Sequence, residues 1–145
     1  PIIFSAHPRT RKKIEQRGVK FDKLVHIMKP FAFSDYIQLE RNAKLVLSDS
    51  GTITEESSIL NFPALNIREV HERPEGMEET SVVMCPLRQN KAMEIIDIIL
   101  NQQSYTDRKR NFKLVADYNV SNVSSKVIRI MLSYIDYINS RVWKK

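Results

Sequence analysis

Five short apolar runs, each followed by a polar segment, constrain this chain more than any other feature. They lie at residues 2–6 (IIFSA), 24–28 (LVHIM), 45–47 (LVL), 63–67 (PALNI) and 81–84 (SVVM). Each is too short for a helix and rich enough in branched residues for a strand. Helical patterns separate them. Residues 11–17 read as a short helix after a turn at 7–10, with Gly18 as its stop. Ser34 and Asp35 are placed to cap a helix from about Tyr36 to Ala43. A further helix spans 53–61, and Asn90 caps one running to Gln102. The stretch 103–113 is polar and basic and reads as a loop. Val123, Val127, Ile130, Met131, Tyr134, Ile135 and Ile138 recur at helical spacing in a long last helix.

Alternating strands and helices predict an α/β fold with a doubly wound, Rossmann-like parallel sheet. The apolar runs are continuous rather than alternating, which fits strands covered on both faces. His26, inside such a run, is expected to be a packed strand residue. The chain has 145 residues, a length that suits one domain. In open sheets of this kind ligands bind beyond the carboxyl ends of the strands. Three polar segments fall there, at 7–10, 48–56 and 68–79.

The second of these, Ser48-Asp49-Ser50-Gly51-Thr52-Ile53-Thr54-Glu55-Glu56, is a strand–loop–helix junction rich in hydroxyls. The first turn of a helix offers free N–H groups and a partial positive charge, an anion site suited to a diphosphate. Gly51 would let the phosphate come close to the backbone, and a carboxylate one turn on can accept from a ribose diol. Thr52 with Glu55 equally fits a capping box, and the two readings are compatible. The GxxxxGK[ST] pattern of a P-loop is not present. In the third segment, Arg73 is a good bidentate phosphate ligand, Pro74 stiffens the turn and Gly76 permits an unusual backbone angle. His7 follows the first strand and could handle a proton or an anion.

Other chemistries find little support. Net charge is +6, from 23 basic and 17 acidic residues, spread over 9–13, 108–113 and 141–145. Those runs lack interleaved stacking aromatics and any zinc-finger or RNA-recognition signature, so no nucleic-acid partner is expected. An anionic small molecule suits the charge as well. No apolar run approaches the ~20 residues of a membrane helix. No HxxH or CxxC cluster points to a metal, and no cofactor is expected. Cys85, the single cysteine, is expected to be buried and inert, in keeping with a reducing, cytoplasmic setting. The first residues form no signal peptide pattern, and the start at Pro1 suggests a processed chain or a fragment.

Three ordered motifs, Ser5-Ala6-His7-Pro8-Arg9, the 48–56 junction and Glu72-Arg73-Pro74-Glu75, together resemble the non-hydrolysing UDP-N-acetylglucosamine 2-epimerase family. That family has a His-Arg turn, a DSGG-I-x-EE loop and an ERPE loop in the same order. The loop from Arg68 to Glu79 most resembles a capsule or O-antigen branch, whose members convert UDP-2-acetamido-2,6-dideoxy-L-talose to the L-fucose isomer. The resemblance covers roughly residues 1–130. It implies one half of a GT-B arrangement of two Rossmann-like domains. Residues 1–122 would be the C-terminal, UDP-binding domain, and 123–145 a final helix crossing back to an N-terminal domain outside this chain. The whole protein would be over twice as long, and a homodimer.

The implied reaction inverts C2 of a UDP-N-acetyl hexosamine. The C2 proton is removed as UDP leaves, giving a 2-acetamidoglycal, and UDP re-adds with the opposite configuration at C2. On this resemblance His7 lies near the diphosphate and sugar and assists departure of UDP. Ser50, Gly51 and Thr52 hold the phosphates, Glu56 takes the ribose hydroxyls, and Arg73 faces phosphate. Phe31 and Tyr36 lie near the uracil. Thr52 stands where the family often has a second glycine, and Pro8 interrupts the usual HRRE, so no role is carried over to Arg9. The carboxylates for proton transfer at C2 belong to the other domain, so this chain alone should bind UDP weakly and not turn over. The alternative is the nucleotide-sugar domain of a GT-B glycosyltransferase, which would need an acceptor site that no feature identifies.

Overall fold

The computed structural model describes residues 1–70, 72–102, 110 and 112–145. The chain forms two units, Pro1–Lys44 and Leu45–Lys145. Both are built from parallel strands joined through helices, the α/β class expected from the sequence.

The first unit runs β1 (Ile2–Ser5), α1 (Pro8–Gln16), β2 (Val25–Met28) and α2 (Phe33–Asn42). β1 and β2 pair in parallel, from Ile2 opposite Val25 to Ser5 opposite Met28. Helix α1 starts three residues earlier than expected, because proline suits the first helical turn, where its missing N–H would be unpaired anyway. His7 is its N-cap, and the Nδ1 atom accepts the Arg9 N–H at 3.3 Å. Gly18 ends the helix as expected, with φ +60° and its N–H donated to the Glu15 carbonyl. Helix α2 also starts early. Ala32 is the N-cap, and neither Ser34 nor Asp35 caps it. The Phe4 and Phe21 rings meet edge to face at 6.3 Å.

Coverage on both faces does not hold for β1 and β2. Ile2 and Ile3 are 60% and 49% exposed, and β2 alternates half-buried Val25 and Ile27 with exposed His26 and Met28. His26 is therefore not packed. Side chains alternate across a strand, and His26 stands on the outer face.

The second unit contains β3 (Val46–Ser48), α3 (Ile53–Leu60), β4 (Ala64–Ile67), α4 (Pro74–Glu78), β5 (Val83–Cys85), α5 (Gln89–Gln102), a 3₁₀ turn (Ala116–Tyr118) and α6 (Val123–Tyr137). A π-helical stretch, Ile138–Val142, extends α6. The strands form a parallel sheet in the order β3-β4-β5. Here the continuous apolar run means what it promised. Ala64 packs with Ile53, Phe62 and Val82, while its neighbour Leu65 packs with Cys85 and Ile99. Successive β4 residues thus feed two cores, one per face. Cys85 is fully buried, as expected. Asn61 ends α3 in the left-handed conformation, φ 58°. The loop expected over 103–113 lies mostly outside the described residues. Helix α6 has the expected amphipathic sequence but buries no residue.

Candidate functional site

The carboxyl end of β3 delivers the chain into a loop wound by its own hydroxyls. The Ser50 N–H donates to Ser48 Oγ at 3.1 Å, and the Ser50 and Thr52 hydroxyls share a hydrogen bond at 2.9 Å. Thr52 is the N-cap of α3 but makes no side-chain cap, because its hydroxyl is committed to Ser50. The capping box with Glu55 is therefore not formed. Glu55 instead accepts a hydrogen bond from Arg73 Nε.

That ion pair joins two motifs far apart in sequence. Arg73 is the N-cap of α4, and its guanidinium lies over Gly51. A Cβ at position 51 would come within 2.6 Å of Arg73 Nη1. Gly51 is thus needed for the approach of a cation, beyond any freedom it gives an anion. The hydrogen bond to Glu55, opposed by burial, holds the Arg73 guanidinium above its ordinary pKa, so Arg73 stays charged while paired with the Glu55 carboxylate. Glu72, 4.0 Å from Nη1, is exposed and adds little.

Helix α4 sits close on α3. A Cβ at Gly76 would lie 2.0 Å from Thr54 Cγ2, so Gly76 serves this backbone approach, and its φ is not in the left-handed region. That replaces the unusual backbone angle expected of it. The Tyr118 hydroxyl donates to Glu75 Oε1 at 2.8 Å, and burial first, then this bond, pushes the phenol pKa up. The 3₁₀ turn is tied down in turn by the Val115 N–H, which donates to Ser58 Oγ on α3 at 3.1 Å. Arg110 donates to the Ser58 and Ile59 carbonyls at 2.5 and 3.2 Å, where a helix end leaves acceptors open.

Glu56 lies one turn into α3. Its Oε2 is buried and has no hydrogen-bond partner among the described residues. A buried carboxylate oxygen in that state is an open acceptor, which a hydroxyl-bearing ligand would satisfy. Asn66, fully buried in β4, likewise has neither amide atom paired among the described residues.

The second unit therefore brings Gly51 and Arg73 together, with Ser50 and Thr52 flanking and Glu56 following. His7, Phe31 and Tyr36 belong to the first unit. His7 is exposed beyond β1, Phe31 follows β2, and Tyr36 lies half-buried in the first turn of α2. Since β1 and β2 are parallel and end in register, His7 and Phe31 leave the same end of their sheet. Sequence reading missed the role of Glu55 toward Arg73, and it missed Asn66 and Tyr118 altogether. Glu55 was visible as a carboxylate one turn into the helix. Tyr118 carries no local signal. His71 lies outside the described residues. Among the described residues no group of three or more His, Cys, Asp or Glu could hold a metal. None of the described helices is long and apolar enough to cross a membrane.

Comparison with known proteins converges on one family. Residues 1–132 match the family profile described as UDP-N-acetylglucosamine 2-epimerase. A protein of that name from Methanocaldococcus jannaschii is 33% identical over 135 residues, covering 90% of this chain and 34% of its own length. The solved UDP-N-acetylglucosamine 2-epimerase from Rickettsia bellii superposes with a TM-score of 0.84 at 46% identity, over 99% of this chain and 39% of that one. The M. jannaschii enzyme, solved in complex with UDP-GlcNAc and UDP, gives a TM-score of 0.77 at 32% identity, over 91% of this chain and 35% of that one. The chain thus spans little more than a third of the length of these relatives.

Proposed function

The chain belongs to the UDP-N-acetylglucosamine 2-epimerase family, and from that premise we propose that it is the nucleotide-binding, C-terminal half of a UDP-sugar 2-epimerase. The substrate class is a UDP-N-acetyl hexosamine. In the first half-reaction the C2–H bond and the bond from C1 to the diphosphate oxygen both break. The products are a 2-acetamidoglycal, UDP and a proton on an enzyme base. In the second, UDP adds back at C1 while a proton returns to the opposite face of C2.

A C2–H beside an acetamido group is a weak acid, so stabilising the departing diphosphate is where the protein gains most. The observation that carries the reading is the Arg73 guanidinium fixed over Gly51 by Glu55, at the head of α3. Ser50, Gly51, Thr52 and Arg73 would hold the diphosphate. Glu56, whose buried Oε2 is unpaired among the described residues, would accept from the ribose hydroxyls. Phe31 and Tyr36 would border the uracil, and His7 would assist the leaving UDP.

The finer reading is a capsule or O-antigen enzyme acting on the talose-to-fucose pair, in the cytoplasm of a bacterium, as a homodimer. Its support is the Arg68–Glu79 loop. Residues 123–145 would cross back to the N-terminal domain. The wholly unburied α6, with Ile130 and Met131 59% and 61% exposed, supports a covering partner within the longer protein. The test is incubation of the full-length protein with a UDP-N-acetyl hexosamine in deuterated water. Epimer exchange with one deuterium gained at C2, and no acceptor required, is the expected result. Sugar transfer only on addition of an acceptor would give the glycosyltransferase reading instead. Running the talose-type and glucosamine-type sugars side by side decides the branch.

A further inference from the structure

The 3₁₀ turn Ala116–Tyr118 reaches both helices that form the loop. Val115, 2% exposed, is bound to Ser58 of α3, and Tyr118 is bound to Glu75 at the head of α4. We propose that Tyr118 is a positioning residue for the diphosphate site, holding Glu75 so that the head of α4, and with it Arg73, stays over Gly51. The inference rests on the assignment of Arg73 to the diphosphate.

Two physical effects support it. First, α4 is a short helix of five residues with no side-chain cap at Arg73. Isolated turns of this length have little stability of their own, so contacts must fix them. Among the contacts here are the Gly76 approach to Thr54, the Ser81 bonds to the Gly76 carbonyl, the Arg73–Glu55 pair and the Tyr118–Glu75 bond. A Cβ at Gly76 would also lie 3.4 Å from the Tyr118 hydroxyl, so the phenol sits against the same backbone. Second, Glu75 is a carboxylate two residues from Arg73. Turned toward the site, it would compete for the guanidinium or repel an incoming diphosphate. Tyr118 gives it a hydrogen-bond donor other than Arg73. The phenol also senses the charges of Glu55 and Arg73, which places it within their electrostatic reach.

The test uses the full-length protein and calorimetric titration with UDP and with uridine, which lacks phosphates. Tyr118→Phe removes only the hydroxyl. It should weaken UDP roughly 3- to 10-fold, less than the roughly 10- to 100-fold of a lost hydrogen bond to a charged acceptor, because the effect reaches UDP only through Arg73. Uridine affinity should stay as in the parent. In an Arg73→Ala background the same substitution should change UDP affinity no further, since the group it positions is gone. Unchanged UDP affinity in Tyr118→Phe would overturn the proposal. So would an equal loss for uridine, or a full loss repeated in the Arg73→Ala background. If Arg73→Ala itself binds UDP like the parent, the diphosphate assignment fails, and the proposal falls for that separate reason.

Discussion

Strands β1 and β4 look alike as sequence and differ as structure. IIFS and ALNI are both four-residue, mainly apolar runs. In β4 the first three residues are buried, because β3 and β5 flank it and a packed core lies on each face. In β1 three of the four residues are exposed. An apolar run says that a strand will form and that something should cover it. It does not say whether the cover lies within the same unit. The candidate site follows the same division. The loop after β3 is built from the inside, by Glu55, Arg73 and Gly76. At the turn after β1, the His7 side chain has only the local bond from the Arg9 N–H among the described residues, and its carbonyl accepts the Arg11 N–H at the start of α1.

Substitution in β4 should have the largest effect. Leu65→Ala, at a fully buried position, should cost about 2–5 kcal/mol in denaturant unfolding. A cost under about 1 kcal/mol would erase the contrast with β1. Gly76→Ala comes next. The added methyl meets Thr54 at a distance no contact allows, so α4 must lift from α3, at about 1–3 kcal/mol. A lowered melting temperature together with weaker UDP binding is expected.

Gly51→Ala should separate binding from stability. Its methyl meets the tip of a long, movable side chain, so the melting temperature should barely change while the guanidinium is displaced. UDP affinity in the full-length protein should fall several-fold, on the order of 1 kcal/mol. A matching drop in stability would mean that Arg73 cannot swing aside. Ile3→Ala should have the smallest effect, within about 0.5–1 kcal/mol for the chain by itself. A much larger cost in the full-length protein would show that another part of that protein covers β1.

Much of this was legible in the sequence. The strands fell within a residue or two of their runs, since short branched runs between helical patterns have few alternatives. Helix starts were less legible. Ser34 and Asp35 looked like caps, yet α2 begins at Phe33, and Pro8 opens a helix where a turn was expected. Hydroxyl and proline signals tolerate more than one placement, and packing chooses among them. The loop residues Ser50, Gly51, Thr52 and Glu56 and the basic Arg73 could be singled out by type and spacing. The reason for Gly51 could not, because the guanidinium over it comes from another segment. Tyr118 was invisible for the same cause. A single hydrogen bond across 43 positions leaves no periodic trace.

The most direct measurement is calorimetric titration of the full-length protein, its Arg73→Ala variant and its Glu56→Ala variant, each with UDP and with uridine. If the loop after β3 is the nucleotide site, Arg73→Ala should weaken UDP by about 10- to 100-fold and spare uridine. Glu56→Ala should weaken both, since both carry the ribose. Parent-like UDP binding in Arg73→Ala, or parent-like uridine binding in Glu56→Ala, would contradict the account.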